Sequence, residues 1–513
     1  MKREKKRIAL LYRGPQQEGR DDFSAFVPMG LFNVLKSLRD SGYAASLHNF
    51  SGTPRQRLPK AIREINADAI LISAFFGCHH EAFLLARTAK GLATNAPVIL
   101  GGPLSVLGPP ILARFPEIDF LLRGEGEESS VALLDALFSG SQEFRNVPGV
   151  IFRSSSGYSA MPPRLLDDID RYFFLPSEVM PHCHGVSHDN LAVLISSRGC
   201  PFHCAFCSST VLWQNRVRHH SAELLLRYLK DLRVATRALY FSLRDENFLV
   251  NRRHVEEFTT ALSRSGLNYL WNAQGSPHLL DDTTARMLAD AGCDQIQMGI
   301  ETVSPRLLAL LNKKGDRDKT EEGIRTLRRR LIRPFGYFIY GMEETEDEGR
   351  ETLRFIQKTG LLDAVASPLV MYPGTKLAAG VAPQIFFAKG EVLFYSPESA
   401  KKWKKQYETA LTDLHRRGGF SREELFRKKE ANLVTLIARH FYHLAHGEEG
   451  KAEKILLTMT QQNPENPWGF ELLTRFYETT GENAKSLTMA KALTRLLTGK
   501  NRGSREAAKD AMA

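Results

Sequence analysis

From Arg7 to about residue 140 the chain alternates short apolar runs with stretches whose apolar residues recur every three or four positions. The runs Arg7 to Tyr12, Ala44 to Phe50, Ala69 to Ala74, Val98 to Leu100 and Ile118 to Leu122 predict strands. Helical spacing from Pro28 to Asp40, Pro59 to Ile65 and His80 to Leu92 separates them. Alternation of this kind predicts an α/β domain, an open parallel sheet covered by helices, over residues 1–145. Residues 146–189 carry Pro148, Pro162, Pro163, Pro176 and Pro181 and predict an irregular linker with one strand at Val150 to Arg153. The alternation then resumes over 190–385. Strands are predicted at Leu191 to Ser196, Ala238 to Leu243, Asn268 to Ala273, Gln295 to Ile300, Arg333 to Gly341 and Ala364 to Met371, as in a partial (β/α)6 barrel.

Residues 386–513 show helical periodicity throughout, after a crossover marked by Phe386, Phe387, Phe394 and Tyr395. Residues 431–464 and 465–498 align at an offset of 34, which matches Tyr442 to Phe476 and Gly447 to Gly481. That period predicts tetratricopeptide-like helix pairs, and two such pairs need another surface to pack on. The tail from Lys500 to Ala513 is polar and charged and is expected to fray.

Composition sets bounds on this picture. The chain has 513 residues, 43% of them hydrophobic and 25% charged, enough for two to four buried cores. The basic start, Met1 to Arg7, is followed by too few apolar residues for a signal segment or membrane span, so a cytoplasmic protein is expected. Six cysteines in so long a chain exclude a disulfide framework. The net charge of +11 permits an anionic partner without requiring one, and a solvated basic surface accounts for it.

Half of those cysteines sit in one stretch, Ser196-Ser197-Arg198-Gly199-Cys200-Pro201-Phe202-His203-Cys204-Ala205-Phe206-Cys207, directly after the first barrel strand. Thiolates this close repel one another unless a soft metal holds them, and cysteine is the ligand that iron–sulfur clusters select. Three ligands leave one iron of a cubane cluster open to bind a substrate or cofactor. Zinc, with His203 as fourth ligand, is the competing reading, but adjacent His203 and Cys204 would have to wrap one ion and no second cysteine pair follows. Two other His/Cys groups, Cys78-His79-His80 and His182-Cys183-His184 with His188, read as a helix start and as part of the linker.

The C-x3-C-x2-C spacing with Phe206 before the last cysteine resembles the cluster loop of the radical S-adenosylmethionine (SAM) enzymes. That resemblance implies that Cys200, Cys204 and Cys207 hold a [4Fe-4S] cluster whose open iron binds SAM and splits it to a deoxyadenosyl radical. Asp245-Glu246-Asn247-Phe248 looks like the family's second-strand SAM contact, Gly299-Ile300-Glu301 like its fourth-strand motif, and Ile339 with Gly341 and Glu344 like its fifth-strand motif. The expected SAM-binding residues are therefore Phe206, Asp245, Asn247, Glu301, Ile339 and Glu344. Each falls at the carboxyl end of a predicted strand, where such barrels place their chemistry, as do Gln274 and Glu343.

The amino-terminal sheet, with Pro28-Met29-Gly30-Leu31, Gly101-Gly102-Pro103 and Gly124-Glu125-Gly126-Glu127, resembles the Rossmann-like cobalamin-binding domain that precedes the barrel in one branch of these enzymes. Tyr372-Pro373-Gly374-Thr375 is typical of the same branch. The resemblance implies cobalamin as a cofactor, with Ser73, Gly101 and Gly102 against its nucleotide tail. The D-x-H-x-x-G loop that supplies a cobalt-ligating histidine in methionine-synthase-type domains is absent, so no lower ligand carries over.

What the resemblance implies for function is a C-methyltransferase acting on an unactivated carbon of a small-molecule or lipid-like substrate, with an electron donor of the flavodoxin or ferredoxin type. Oxidative ring closure, as in the anaerobic porphyrin cyclase branch, is the alternative. A cluster-bearing scaffold that recruits a protein partner through its helical tail is a third reading. Methylthiolation of transfer RNA is disfavoured because the amino-terminal domain lacks a second cysteine triplet. No motif names the substrate or a catalytic acid or base.

Overall fold

Ile8, Ala9, Leu10 and Leu11 are all buried, and a strand covered on both faces needs such a continuous apolar run. That strand, β1 (Arg7–Tyr12), lies inside the first of two units in a computed structural model that describes residues 5–14, 26–92, 95–140, 143–381, 397–417, 419–427 and 432–498. One unit comprises Met1–His220, Leu311–Lys313 and Val370–Tyr395; the other comprises Ser221–Leu310, Lys314–Leu369 and Ser396–Ala513.

In the first unit β1 is followed by α1 (Met29–Asp40), β2 (Ala44–Asn49), α2 (Leu58–Ile65), β3 (Ala69–Ser73), α3 (His79–Gly91), β4 (Val98–Gly101), α4 (Pro109–Arg114), β5 (Phe120–Leu122) and α5 (Gly126–Ser139). These strands are parallel in the order β5-β4-β3-β1-β2. The order reverses between β1 and β3, the switch point beside which open α/β sheets bind ligands. One face is packed with Leu58, Ile62, Ala82, Phe83, Leu85, Ile111 and Leu112 from α2, α3 and α4. Across the sheet α1 packs on α5, and Ser37 Oγ donates to the Glu127 carbonyl at 2.7 Å.

Residues 146–189, expected as a linker with one strand, add three strands to this sheet. β6 (Val150–Ser154) runs antiparallel to β5, β7 (Gly157–Ala160) returns along β6, and after α6 (Pro176–Val179) the short β8 (Cys183–His184) extends the other edge beside β2. The apolar pair Val150-Ile151 is fully buried there, a constraint that proline content alone does not reveal.

The strand expected at Leu191 to Ser196 is shorter than its apolar run. Only β9 (Val193–Leu194) is extended, and Ser197 and Arg198 turn into β10 (Ser197–Arg198), which after α7 (Ser209–Trp213) pairs antiparallel with β11 (Arg218–His219).

The second unit continues with α8 (Ala222–Thr236), β12 (Tyr240–Leu243), α9 (Arg252–Arg264), β13 (Leu270–Gly275), α10 (Asp282–Asp290), β14 (Cys293–Glu301), α11 (Pro305–Leu310), α12 (Arg317–Arg329), β15 (Arg333–Tyr340), α13 (Glu346–Lys358) and β16 (Asp363–Pro368). β12 to β16 are parallel and adjacent in chain order. Their helix-covered face is an aromatic cluster in which Phe241 stacks on Trp271 at 5.7 Å and Phe258 of α9 meets both rings.

The helical part follows with α14 (Pro397–Arg417), α15 (Arg422–Phe426), α16 (Leu433–Ala445), α17 (Glu449–Gln462), α18 (Pro467–Thr479) and α19 (Asn483–Thr498). Helices α16 and α18, and likewise α17 and α19, begin 34 positions apart in the sequence, which is the offset read from the alignment. The two pairs share a core of Leu436, Leu456, Met459, Phe470, Leu473 and Phe476. They also pack on the sheet domain of their own unit: α19 meets α8, and Trp468 Nε1 donates to the Asn268 carbonyl at 3.1 Å. The crossover at Phe386, Phe387, Phe394 and Tyr395 and the tail from Lys500 lie outside the described residues.

Candidate active site

The three cysteines lie on an irregular loop between β10 and α7; Cys204 is buried, and Cys200 and Cys207 are half-buried. Gly199 opens the loop with φ +101°, and a Cβ there would run into the Arg216 carbonyl. The centre of the loop is clamped on both sides. Ala205 N donates to the Leu311 carbonyl at 2.8 Å, and Leu377 N donates to the Ala205 carbonyl at 3.0 Å. Asn312 Nδ2 adds a bond to the His203 carbonyl at 2.7 Å. Among the described residues no three His, Cys, Asp or Glu side chains are drawn together as a ligand group. The structure therefore supplies a fixed backbone bearing three soft donors, the donor chemistry that a cubane cluster takes.

Tyr372-Pro373-Gly374-Thr375 belongs to the same unit. Thr375 Oγ1 closes the turn on the Tyr372 carbonyl at 2.7 Å, and the Tyr372 ring lies 5.2 Å from Phe76, just beyond β3. Burial, and then the nearby Cys207, raise the Tyr372 pKa. A segment that follows the last barrel strand in sequence thus meets the end of the amino-terminal sheet.

At the carboxyl edge of that sheet, Ser73 ends β3 directly opposite Gly101 at the end of β4. Gly102 has φ +82°, and a Cβ there would lie 2.8 Å from both Ser73 Oγ and the Ala74 carbonyl oxygen. By contrast, a Cβ at Gly101 meets only the Leu122 carbonyl, at 3.7 Å. One glycine is closed in by backbone and its neighbour is less crowded, a cradle that fits a flat or extended ligand group against bare main chain. Cys78 and His79 behave as a helix start: α3 begins at His79, whose Nδ1 lies 2.6 Å from the Phe76 carbonyl.

The remaining expected contacts lie in the second unit. Asp245 is fully buried just after β12. Asn247 organises its own turn, with Oδ1 accepting from Leu249 N at 3.3 Å and Nδ2 donating to Ser276 Oγ at 2.7 Å. Gln274, expected on a loop, lies within β13. Glu301 is the last residue of β14 rather than the first of a loop; it is buried and sits at φ +64° where the register with β15 slips between Gly299 and Glu301. Left-handed backbone at a glutamate is strained, and such strain gathers at sites where a side chain must be aimed. Ile339 is buried within β15. The Glu344 carboxylate turns back on its own loop: it accepts from Gly341 N at 2.8 Å, Met342 N at 3.0 Å and Ser399 Oγ of α14 at 2.7 Å. Its observed work is to hold the turn after β15.

A set of residues absent from the sequence reading lies on the face of β12–β15 that the helices do not cover. Gln297 Oε1 accepts from Arg244 Nη1 at 2.7 Å and from the Tyr337 hydroxyl at 2.8 Å, while its amide donates to Gln295 at 2.9 Å. Below them Ser242, Asn272, Tyr240, Asp294 and Arg333 form a second chain of bonds across four strands. Burial raises the Asp294 pKa, against the pull of Arg333 and Tyr240. The signal was present in Asp294-Gln295-Ile296-Gln297-Met298-Gly299, whose period of two puts the polar residues Gln295 and Gln297 on one face.

Comparison with known proteins matches two parts of the chain. Residues 24–134 match the B12 binding domain and residues 194–356 match the radical SAM superfamily. The chain belongs to the radical SAM enzymes, in the branch that carries an amino-terminal B12-binding domain. Its cofactors are a [4Fe-4S] cluster, SAM and cobalamin. It is 28% identical over 327 residues, 62% of this chain and 70% of the relative, to an uncharacterized methyltransferase of Pyrococcus horikoshii. It is 26% identical over 369 residues, 68% of this chain and 59% of the relative, to the anaerobic magnesium-protoporphyrin IX monomethyl ester cyclase of Cereibacter sphaeroides. In fold it resembles the radical S-adenosylmethionine methyltransferase TsrM from Kitasatospora setae, with a TM-score of 0.66 at 17% identity over 81% of this chain and 92% of that one.

Proposed function

We propose that the protein is a cobalamin-dependent C-methyltransferase that replaces a hydrogen on an unactivated carbon of a small molecule with a methyl group. The observation that carries this reading is that one chain joins a B12-binding sheet to a three-cysteine loop, within a single compact unit. When bound, the cluster supplies the electron that splits SAM to a deoxyadenosyl radical and the corrinoid supplies the methyl group, one SAM serving the radical and a second the methyl.

Cys200, Cys204 and Cys207 hold the cluster, with Phe206 beside the SAM. Ser73, Gly101 and Gly102 seat the nucleotide tail of the corrinoid. Asp245, Asn247, Glu301 and Ile339 line the SAM site, Glu301 by charge and Ile339 by apolar contact. Glu344 acts through the turn it holds. The hydrogen-bonding face around Gln297, Arg244 and Tyr337 supports a polar substrate over a lipid-like one, since hydrocarbon seated there would displace water from polar groups and offer no hydrogen bond in return. A flavodoxin- or ferredoxin-type donor suits the net charge of +11, and a reducing cytoplasm suits the cluster. Among the described residues no helix is long and apolar enough to cross a membrane.

The test is anaerobic reconstitution with hydroxocobalamin, methyl-labelled SAM and reductant. The expected outcome is about four irons per chain, deoxyadenosine, and label on the corrinoid. The triple Cys→Ala variant at positions 200, 204 and 207 should lose the iron and the deoxyadenosine while retaining the corrinoid. If that variant still bound iron and cleaved SAM, the assignment would be wrong. A small-molecule product heavier by one labelled methylene supports methylation; a product lighter by hydrogen would favour ring closure.

A further inference from the structure

Arg198 and Arg218 stand directly opposite one another in the ribbon β10–β11. Like charges in that position repel, and both side chains are buried. Glu125 lies between them: its Oε1 accepts from Arg198 Nη1 at 2.5 Å, and its Oε2 accepts from Arg218 Nη1 at 2.5 Å and from Leu166 N at 2.6 Å. The second nitrogen of Arg198, Nη2, donates to Glu127 Oε1 at 2.6 Å. With its amide oxygen turned toward Arg198, Asn33 of α1 accepts from the same Nη2 at 2.6 Å. Two carboxylates thus neutralise two guanidinium groups out of contact with water. The Arg198 guanidinium is held by both carboxylates at once. Arg218 depends on the arrangement too: among the described residues its Nε and Nη2 have no hydrogen-bond partner.

The four groups join places that are distant in sequence. Glu125 and Glu127 belong to the Gly124–Glu127 turn and the start of α5 in the B12-binding sheet, whereas Arg198 is separated from Cys200 only by Gly199. Neutralising Glu125 would disturb both arginines at once. Among the described residues the Glu127 carboxylate accepts its hydrogen bond from Arg198.

We propose that Glu127 is a positioning residue: acting through Arg198, its buried negative charge fixes the root of the cysteine loop and sets the field in which the cluster is reduced. This rests on the reading that Cys200, Cys204 and Cys207 hold the cluster. Reduction adds an electron, so removing a buried negative charge beside the loop stabilises the reduced state. The sheet domain therefore tunes the redox centre as well as holding the corrinoid.

The experiment uses the full-length reconstituted protein and compares Glu127→Gln, Glu127→Asp and Glu128→Gln. Glu128 is the control, being nearer the surface and paired with Tyr172 at 2.7 Å and with Arg164. Iron content, the cluster midpoint potential, and the electron paramagnetic resonance spectrum with and without SAM are read for each. Glu127→Gln should retain iron and corrinoid, raise the potential and change the SAM-dependent spectrum. Glu127→Asp, which keeps the charge, should stay near wild type, and Glu128→Gln should match it. A Glu127→Gln protein with wild-type potential and spectrum overturns the proposal, as does an equal shift in Glu128→Gln. If Glu127→Gln does not fold, Arg198→Lys decides, because one ammonium cannot reach two carboxylates in the geometry of the guanidinium fork. A changed SAM-dependent spectrum then supports the proposal and an unchanged one overturns it. A wild-type protein that assembles no cluster would instead refute the reading on which this rests.

Discussion

The indole of Trp403 lies directly on the backbone of Gly349, so close that a Cβ on Gly349 would lie 2.1 Å from its nearest ring carbon. This contact docks α14 on α13, with Trp403 fully buried. The same helix carries Ser399, whose hydroxyl bonds Glu344 at the turn after β15. Gly349→Ala should therefore cost about 1–3 kcal/mol, by overpacking. Urea denaturation measures the loss, and hydrogen exchange should show faster exchange in α14 and in the Gly341–Glu344 turn.

Glu301→Gln keeps the shape of the side chain and removes its charge. Because a charge-assisted contact is worth roughly 1.5–3 kcal/mol, the SAM concentration needed for half-maximal deoxyadenosine formation should rise about tenfold to more than a hundredfold. Iron and corrinoid contents should be unchanged. An unaltered SAM dependence would leave Glu301 as a structural residue at the β14 bulge.

The two glycines at the end of β4 should respond differently. At Gly102, alanine meets Ser73 Oγ and the Ala74 carbonyl oxygen at 2.8 Å, so Gly102→Ala should destabilise the fold by roughly 1–3 kcal/mol. Gly101→Trp puts a bulky ring into the space expected for the nucleotide tail, at a position where a Cβ meets only the Leu122 carbonyl oxygen, at 3.7 Å. Its melting temperature should stay near wild type while hydroxocobalamin is lost on desalting; retained corrinoid absorbance would place the pocket elsewhere.

His48 supplies a pH dependence. Its ring stacks on His184 at 4.6 Å, and burial followed by the neighbouring His184 lowers its pKa to about 4. The unfolded chain binds this proton near pH 6.5, so the stability contributed by neutral His48 is fully present above that pH and is lost as pH falls through 6.5 toward 4. The loss should reach roughly 1–3 kcal/mol. Urea titrations at pH 7 and pH 5 should show it, and His48→Phe should flatten the difference.

Much of the fold was legible because local pattern and tertiary role coincide. β1, β3 and β4 are short apolar runs buried on both faces, and the paired helices α16–α17 and α18–α19 declare themselves by a fixed offset. The short β9 was not legible: whether Ser197 and Arg198 extend a strand or leave it depends on Glu125 and Glu127, some seventy positions earlier in the sequence. In the linker the strand at Val150 was legible, whereas β7 and β8 were not, since each is extended against a partner strand, β6 and β2. Of the candidate site, the cysteine spacing and the glycines at the end of β4 stood out in the sequence itself. The turn-holding role of Glu344 was not, since it depends on Ser399 and on two backbone amides whose direction no residue type encodes.

The clamp on Ala205 also orders events during synthesis. Its two backbone partners, Leu311 and Leu377, follow it by roughly 100 and 170 residues, and at about 5–20 residues per second a ribosome takes on the order of ten to thirty seconds to reach the second. Until Leu377 has emerged, the nascent loop displays its thiols on an unfixed backbone. On the proposal that Cys200, Cys204 and Cys207 hold the cluster, loading of iron and sulfide is a late event in the life of the chain, and a pause in translation before this point would leave the thiols open to stray metals and oxidants.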